Sequence, residues 1–199
     1  MNIEELLLKI KNKEIINIEL GCGPSKTKGY IGIDYASLPG VDLVADLEKG
    51  LPFLPDNSVD EISSRHLMEH LENFELIMKE IHRVLKPEGI HKIAVPHFSN
   101  PYYYSDYTHK RFFGLYTFDY MATPNTTLKR KVPSFYADFK FDILKRKYTF
   151  RSPFIIRNYR KKVMQYLVNS SDFMKEWYEE NLCFMQPCHE IYFEMRPKK

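Results

Sequence analysis

The chain is poor in cysteine. Cys22, Cys183 and Cys188 form an odd, scattered set that gives no disulfide framework. In a lysine-rich chain this suits a reducing compartment, and a cytoplasmic location is expected. No apolar run approaches the roughly 20 residues needed to span a bilayer. The N-terminus lacks the basic flank of a secretion signal, because Glu4 and Glu5 stand beside Leu6, Leu7 and Leu8. Repeats, low-complexity tracts and linkers are also missing, which predicts a single domain. The formal net charge of +3 is too small to argue for nucleic acid by itself.

What the chain does have is unevenly placed. A 44% hydrophobic fraction over 199 residues is enough for a core, and the length suits one domain with an inserted lobe. Acidic residues concentrate before Glu69. The stretch 129–162 is strongly basic: Lys129, Arg130, Lys131, Lys140, Lys145, Arg146, Lys147, Arg151, Arg157, Arg160, Lys161 and Lys162 face only Asp138 and Asp142. Such asymmetry marks either an anionic partner or a solvated surface.

Hydrophobic patterning predicts an α/β architecture. Residues 3–11 read as a short helix. Runs at 15–20, 30–33, 41–45, 59–63 and 90–95 read as strands. Between the last two, Leu71, Phe74, Met78, Ile81 and Leu85 repeat at helical spacing, and Lys86-Pro87-Glu88-Gly89 stops that helix. Strands alternating with connections imply a mostly parallel sheet. Phe135, Ala137, Phe139, Phe141 and Ile143 alternate as a strand would, running on to about 150. Two helices are expected over 155–182, broken near 169–172, with a last strand at 189–195. The first crossover has about nine residues, so it must be an abbreviated loop rather than the usual dozen or more residues with a helix.

The chemistry begins at Glu19-Leu20-Gly21-Cys22-Gly23, where a strand runs into a turn. Glycines there let backbone approach a ligand closely. A third glycine three residues after Gly23 would complete a dinucleotide fingerprint, but Lys26 holds that place, which argues against NAD. Asp34 and Asp46 end the next two strands. A carboxylate at the first position suits ribose hydroxyls; one at the second suits an adenine amino group, with Leu47 over the ring. Each acid alone is equally at home as an N-cap or turn residue. Three acids at successive strand ends favour a ligand, because open α/β sheets bind ligands at the carboxyl ends of their strands.

At this point the chain resembles the class I S-adenosylmethionine (SAM)-dependent methyltransferases, in a compact type-11-like subgroup. The resemblance rests on Gly21-Cys22-Gly23-Pro24, Gly29-Tyr30-Ile31-Gly32-Ile33-Asp34, Leu51-Pro52-Phe53 with Ser58-Val59-Asp60, His66-Leu67-Met68-Glu69-His70 and His82-Arg83-Val84-Leu85-Lys86-Pro87. It covers residues 15–96. It implies a Rossmann-like, mostly parallel sheet with an antiparallel C-terminal strand, a core of about 12–96 plus 135–150 and 188–196, a lid over 97–134 and a helical insertion at 153–184. It also implies SAM as cofactor. Glu19, Gly21, Cys22 and Gly23 would take the methionine side, Asp34 and Tyr35 the ribose, Asp46 and Leu47 the adenine, and Arg65 and His66 would lie near the transferred methyl group. Ser25 and Glu88 depart from glycines common in the family.

Residues 96–113 resemble the subgroup's Asp-Pro-Thr-His-Lys-Arg stretch, with Tyr107 in the proline position. Methyl transfer is an in-line displacement that requires donor and acceptor to be held in line. A hydroxyl acceptor also needs a base, for which histidine suits neutral pH. The candidates are His109, oriented by Asp106, and then His97 or His70. Tyr104, Lys110, Arg111 and His70 are candidates to bind the acceptor. The alternative for His109 is a loop anchor, and the aromatic cluster from Tyr102 to Phe118 serves either a pocket or the lid's own core. Cys183, Cys188 and His189 lack the second pair a structural zinc requires, so no metal is expected.

The expected function is therefore SAM-dependent methylation, at oxygen, of a small-molecule or glycan-like acceptor. The alternatives are an anionic macromolecule such as RNA, and a SAM-binding protein without catalysis. No nucleic-acid module is visible, so nucleic acid is not an expected partner. Peripheral membrane contact through 155–182 and homo-oligomerisation are both compatible with the sequence.

Overall fold

The computed structural model describes residues 1–124 and 127–199, the side chain of Ile156 excepted. Helix α1 (Ile3–Lys11) opens the chain with a capping box: Asn2 accepts from the Glu5 backbone N–H, and the Glu5 carboxylate accepts from that of Asn2. Strands β1 (Asn17–Leu20), β2 (Ile31–Asp34) and β3 (Leu43–Val44) follow with no helix between them. Next come β4 (Val59–Arg65), helix α2 (Phe74–Val84) and β5 (Leu85–Pro96), then β6 (Lys140–Thr149), helices α3 (Ile155–Val168) and α4 (Asp172–Asn181), and β7 (Glu190–Lys198).

These strands form one seven-stranded sheet in the order β3-β2-β1-β4-β5-β7-β6. Strands β1 to β5 are parallel, and β7 runs antiparallel between β5 and β6. The Rossmann-like sheet and its antiparallel C-terminal strand are as expected, and the two helices between β6 and β7 stand where the helical insertion was placed. The order reverses at β1, so the carboxyl ends of β1, β2 and β4 frame a crevice.

Helix α2 buries Ile77, Met78, Ile81 and Val84 completely, each worth roughly 1.5–3 kcal/mol. On its other side Arg83 bonds Glu80, Asp56 and the carbonyls of Leu51 and Leu54, which fastens the segment before β4.

Three element boundaries differ from the sequence reading. Leu71 is buried but precedes α2, so the apolar stripe ran into the loop. Strand β5 starts at Leu85, paired with Val59, and residues 86–89 bulge out before pairing resumes at Ile90 with Glu61. The Pro-Gly signal thus marks a bulge inside a strand. The alternation from Phe135 is not strand until Lys140: Phe135 is 78% exposed. Among the described residues, no helix is long and apolar enough to cross a membrane.

Candidate active site

The turn after β1 is built from backbone that only glycine adopts easily. Gly21 and Gly23 have φ of +64° and +56°. A Cβ on Gly21 would sit 2.9 Å from Leu67 Cδ1, whereas one on Gly23 would meet nothing within 4 Å. Gly21 is therefore small for packing, and Gly23 opens onto space a ligand can occupy. Asp34, buried at the end of β2, accepts the Gly23 backbone N–H through Oδ2 at 2.9 Å and that of Ala36 through Oδ1 at 3.1 Å. Each oxygen keeps a second lone pair for ribose hydroxyls.

Glu19 is also buried, but its carboxylate faces the abbreviated crossover. It accepts from the Thr27 backbone N–H at 2.5 Å and from the Thr27 hydroxyl at 3.2 Å. Those bonds stand in for the helix the crossover lacks. Burial raises the Cys22 thiol pKa, and the Asp34 and Glu19 carboxylates raise it further. Glu19 and Asp34 therefore converge on one turn. Asp46 lies at the outer edge, where it caps the short 3-10 turn 47–49 through the Glu48 N–H and pairs with Lys49 at 3.3 Å. Leu47 belongs to the core, and Tyr35 is 80% exposed.

Just past Arg65, His66 takes a left-handed φ of +51°, unusual outside glycine. Its N–H donates to the Ala94 carbonyl at 2.9 Å. Its ring stands between two carboxylates: Nε2 is 3.2 Å from Glu190, at the start of β7, and Nδ1 is 3.3 Å from Glu69. The hydrogen bond to Glu190, then that to Glu69, lift its pKa to about 9. His66 is thus a cation at neutral pH. His189 lies beside it, ring centroids 6.4 Å apart, and burial lowers the pKa of His189. A cavity of about 460 Å³ opens here, lined by Tyr102, Arg151, Ser152, Pro153, Asn158 and His189. That volume is in the range of small-ligand sites.

The candidate histidines of the lid are held differently. His97 is completely buried, with Nδ1 on the Ser99 hydroxyl at 2.8 Å and Nε2 on Glu179 at 3.1 Å. Both nitrogens are engaged, which makes it a post between the end of β5 and α4. His109 donates from Nδ1 to the Tyr103 carbonyl at 3.0 Å, and its Nε2 lies 3.5 Å from Asp106. The residues expected to grip an acceptor are partly committed too. Lys110 pairs with Glu72 at 2.8 Å, and Arg111 donates to the carbonyls of Leu71 and Glu72 while lying over Phe74. The Tyr104 hydroxyl donates to the Phe98 carbonyl. His70 Nδ1 meets the Thr108 hydroxyl at 2.9 Å. Together these bonds tie the lid to the loop before α2.

The basic stretch is dispersed as well. Arg146 pairs with Asp119 and Lys145 with Glu194, while Lys140 and Lys161 donate to backbone carbonyls. Sequence reasoning does not bring Glu190, His189 and Arg151 to this region, whereas Tyr102, one of its candidates for lining a pocket, does line the cavity. The one available signal, Cys183, Cys188 and His189, reads in the sequence as a metal motif.

The sheet order, with its reversal at β1, is that of the Rossmann-like methyltransferase fold. Residues 18–93 match the family described as "Methyltransferase domain". YcgJ from Bacillus subtilis superposes with a TM-score of 0.54 at 18% identity, over 100% of this chain and 99% of that one. A SAM-dependent methyltransferase from Archaeoglobus fulgidus does so at 0.51 and 16%, over 99% and 95%. One from Thermotoga maritima does so at 0.53 and 17%, over 99% and 89%. At such identities these likenesses are of fold. No curated protein matches the chain. The matched segment is thus a methyltransferase domain, and the fold is that of SAM-dependent methyltransferases, which points to S-adenosylmethionine as the cofactor.

Proposed function

We propose that the protein transfers the SAM methyl group to an oxygen of a small-molecule or glycan-like acceptor seated in the cavity beside His66. What supports this reading is that two spaces open on the same edge of the sheet. One is the open side of Gly23 with Asp34 at its rim; the other is the cavity walled by His189, Arg151 and Tyr102. They lie on the carboxyl edge of one sheet, with the His66–Glu190 pair between β4 and β7.

In this reading Asp34 takes the ribose hydroxyls, and the turn 21–23 takes the methionine end. His66, held cationic by its two carboxylates, is not the base. His189 is the better base than His109, because it lines the cavity and burial keeps it neutral. Arg151 supplies positive charge to an acceptor bearing a carboxylate or phosphate, and Tyr102 stacks on a ring.

The test is S-adenosylhomocysteine release against a panel of hydroxylated small molecules and glycans, alongside calorimetry of SAM binding. His189→Gln is expected to suppress turnover while SAM affinity stays within a few-fold. SAM binding without turnover on any oxygen acceptor would remove the acceptor assignment; full turnover in His189→Gln would remove the base.

A further inference from the structure

The loop before α2 and the lid bring three ligating groups together, one of them the Glu69 carboxylate that also holds His66. One donor atom each from Glu69, His70 and His109 lies within 4.8 Å of the other two. Glu69 is completely buried. Its Oε1 faces His66, while Oε2 has no hydrogen-bond partner among the described residues. A buried carboxylate oxygen without a donor is costly unless a cation or a donor meets it.

The hydrogen bonds around the two imidazoles show which of their nitrogens are engaged on the side away from Glu69. The Thr108 hydroxyl donates its proton to Asp106 Oδ1 at 2.6 Å, so its oxygen accepts from His70 Nδ1 at 2.9 Å. That leaves His70 Nε2 as a bare lone pair, 4.0 Å from Glu69 Oε1. The Tyr103 carbonyl can only accept, so His109 Nδ1 carries the proton and Nε2 is the second lone pair. This Nε2 faces Asp106 Oδ2 at 3.5 Å. Two imidazole nitrogens with a carboxylate oxygen within 4.8 Å of both, and Asp106 beside His109, suit a cation among them. Imidazoles whose outer N–H is held by a hydroxyl or a carbonyl are the arrangement metal-ligating histidines use.

We propose that Glu69, His70 and His109 bind a divalent transition-metal ion of the zinc type, with Asp106 as a fourth oxygen, and that the ion clamps the lid to the loop before α2. Two neutral imidazoles and a carboxylate suit zinc. Donors about 2.0–2.1 Å from a tetrahedral ion stand about 3.4 Å apart, so the cluster would tighten on binding. The clamp adds to bonds already joining the two segments: Lys110 N–H to the Glu69 carbonyl at 2.7 Å, His70 to Thr108, and Arg111 to the Leu71 carbonyl. An ion there occupies the His109 lone pair, which gives His109 a holding role and leaves acid–base work elsewhere. The proposal does not depend on which acceptor is methylated.

The test uses the full chain, stripped with a chelator and titrated with Zn2+ by calorimetry and with Co2+ by visible absorption. The intact protein is expected to take up one ion, to give the intense d–d bands of low-coordinate Co2+, to melt at a higher temperature with Zn2+, and to become more resistant to proteolysis within 97–113. His109→Gln should weaken Zn2+ binding by more than the roughly 10- to 100-fold that loss of an outer partner costs; Thr108→Val should weaken it within that range. His82→Gln, a histidine away from the cluster, should bind as the parent does. His109→Gln lies in a loop, so it keeps the test valid if Glu69→Gln or His70→Ala fails to fold. A Co2+ spectrum equal to that of the free aquo-ion, or Zn2+ affinity unchanged in His109→Gln, would overturn the site and leave a protonated imidazole as the cation. SAM binding by the stripped protein, measured separately, keeps this outcome distinct from a failure of the methyltransferase reading.

Discussion

Asp34 Oδ2 accepts the Gly23 backbone N–H at 2.9 Å, so the end of β2 is tied to the turn that closes β1. One carboxylate both shapes that turn and presents its remaining lone pairs to the crevice. Asp34→Ala is therefore expected to weaken SAM binding by roughly 10- to 100-fold, the equivalent of losing a charge-assisted hydrogen bond. Calorimetry would measure it, with a melting curve to show that the fold persists. Unchanged affinity would take Asp34 out of the cofactor site.

The two glycines of that turn should respond in opposite ways. Gly21→Ala places a Cβ 2.9 Å from Leu67 Cδ1 and 3.1 Å from Leu67 Cβ, on a φ of +64°. Its loss of stability should exceed the about 1–2 kcal/mol that left-handed backbone alone costs. Gly23→Ala meets open space, so it should cost only that backbone strain while SAM binding falls sharply. Denaturant melts and SAM titrations on both variants read the difference. Equal stability losses with normal SAM binding would mean that Gly23 does not face the cofactor.

His91 gives the protein an acid-sensitive element in its core. It is completely buried between strands; its Nε2 bonds the Ser64 hydroxyl at 3.0 Å, and Nδ1 has no partner among the described residues. Burial pushes its pKa down to about 3. The unfolded chain protonates this residue near its ordinary 6.5, while the folded chain resists. Stability is then fully present above about pH 6.5 and falls as pH drops toward 3. His91→Leu should flatten that loss, so parent and variant unfolding free energies converge, or cross, between pH 7 and 4.5. Parallel pH curves would show that His91 does not drive acid unfolding.

Arg146 and Asp119 form a buried pair, with 2.6 Å between Nη2 and Oδ1, joining β6 to the 3-10 turn 117–121 of the lid region. Removing one partner takes a hydrogen-bonded opposite charge away from the other in the interior. Arg146→Met should cost about 3–5 kcal/mol in urea unfolding, and the double variant with Asp119→Leu should recover much of it. Additive losses would show that the two charges do not depend on each other.

The turn and carboxylate proposed to hold the cofactor could be read from the sequence because their determinants are local. A strand that ends in Gly21 and Gly23, and another that ends in Asp34, place backbone and carboxylate by position alone. The acceptor half could not be read that way. His66 and Glu190 are 124 positions apart, and they meet only because β7 enters the sheet antiparallel between β5 and β6. The signals that misled were those whose meaning depends on packing. Lys86-Pro87-Glu88-Gly89 reads as a helix stop and is a strand bulge, because Leu85 already pairs with Val59. Phe135 carries strand alternation, yet it stays largely exposed.

By itself, then, the sequence determined the α/β scaffold, the tight turn and the carboxylates around it. Apolar periodicity, glycine conformation and strand-end chemistry act over a few residues. Tertiary structure decided the histidines. It buried His97 and His91, charged His66 between two acids, left His189 on a cavity wall and turned the lone pairs of His70 and His109 toward Glu69. An imidazole takes its role from whatever hydrogen-bonds its two nitrogens, and those partners come from distant parts of the chain.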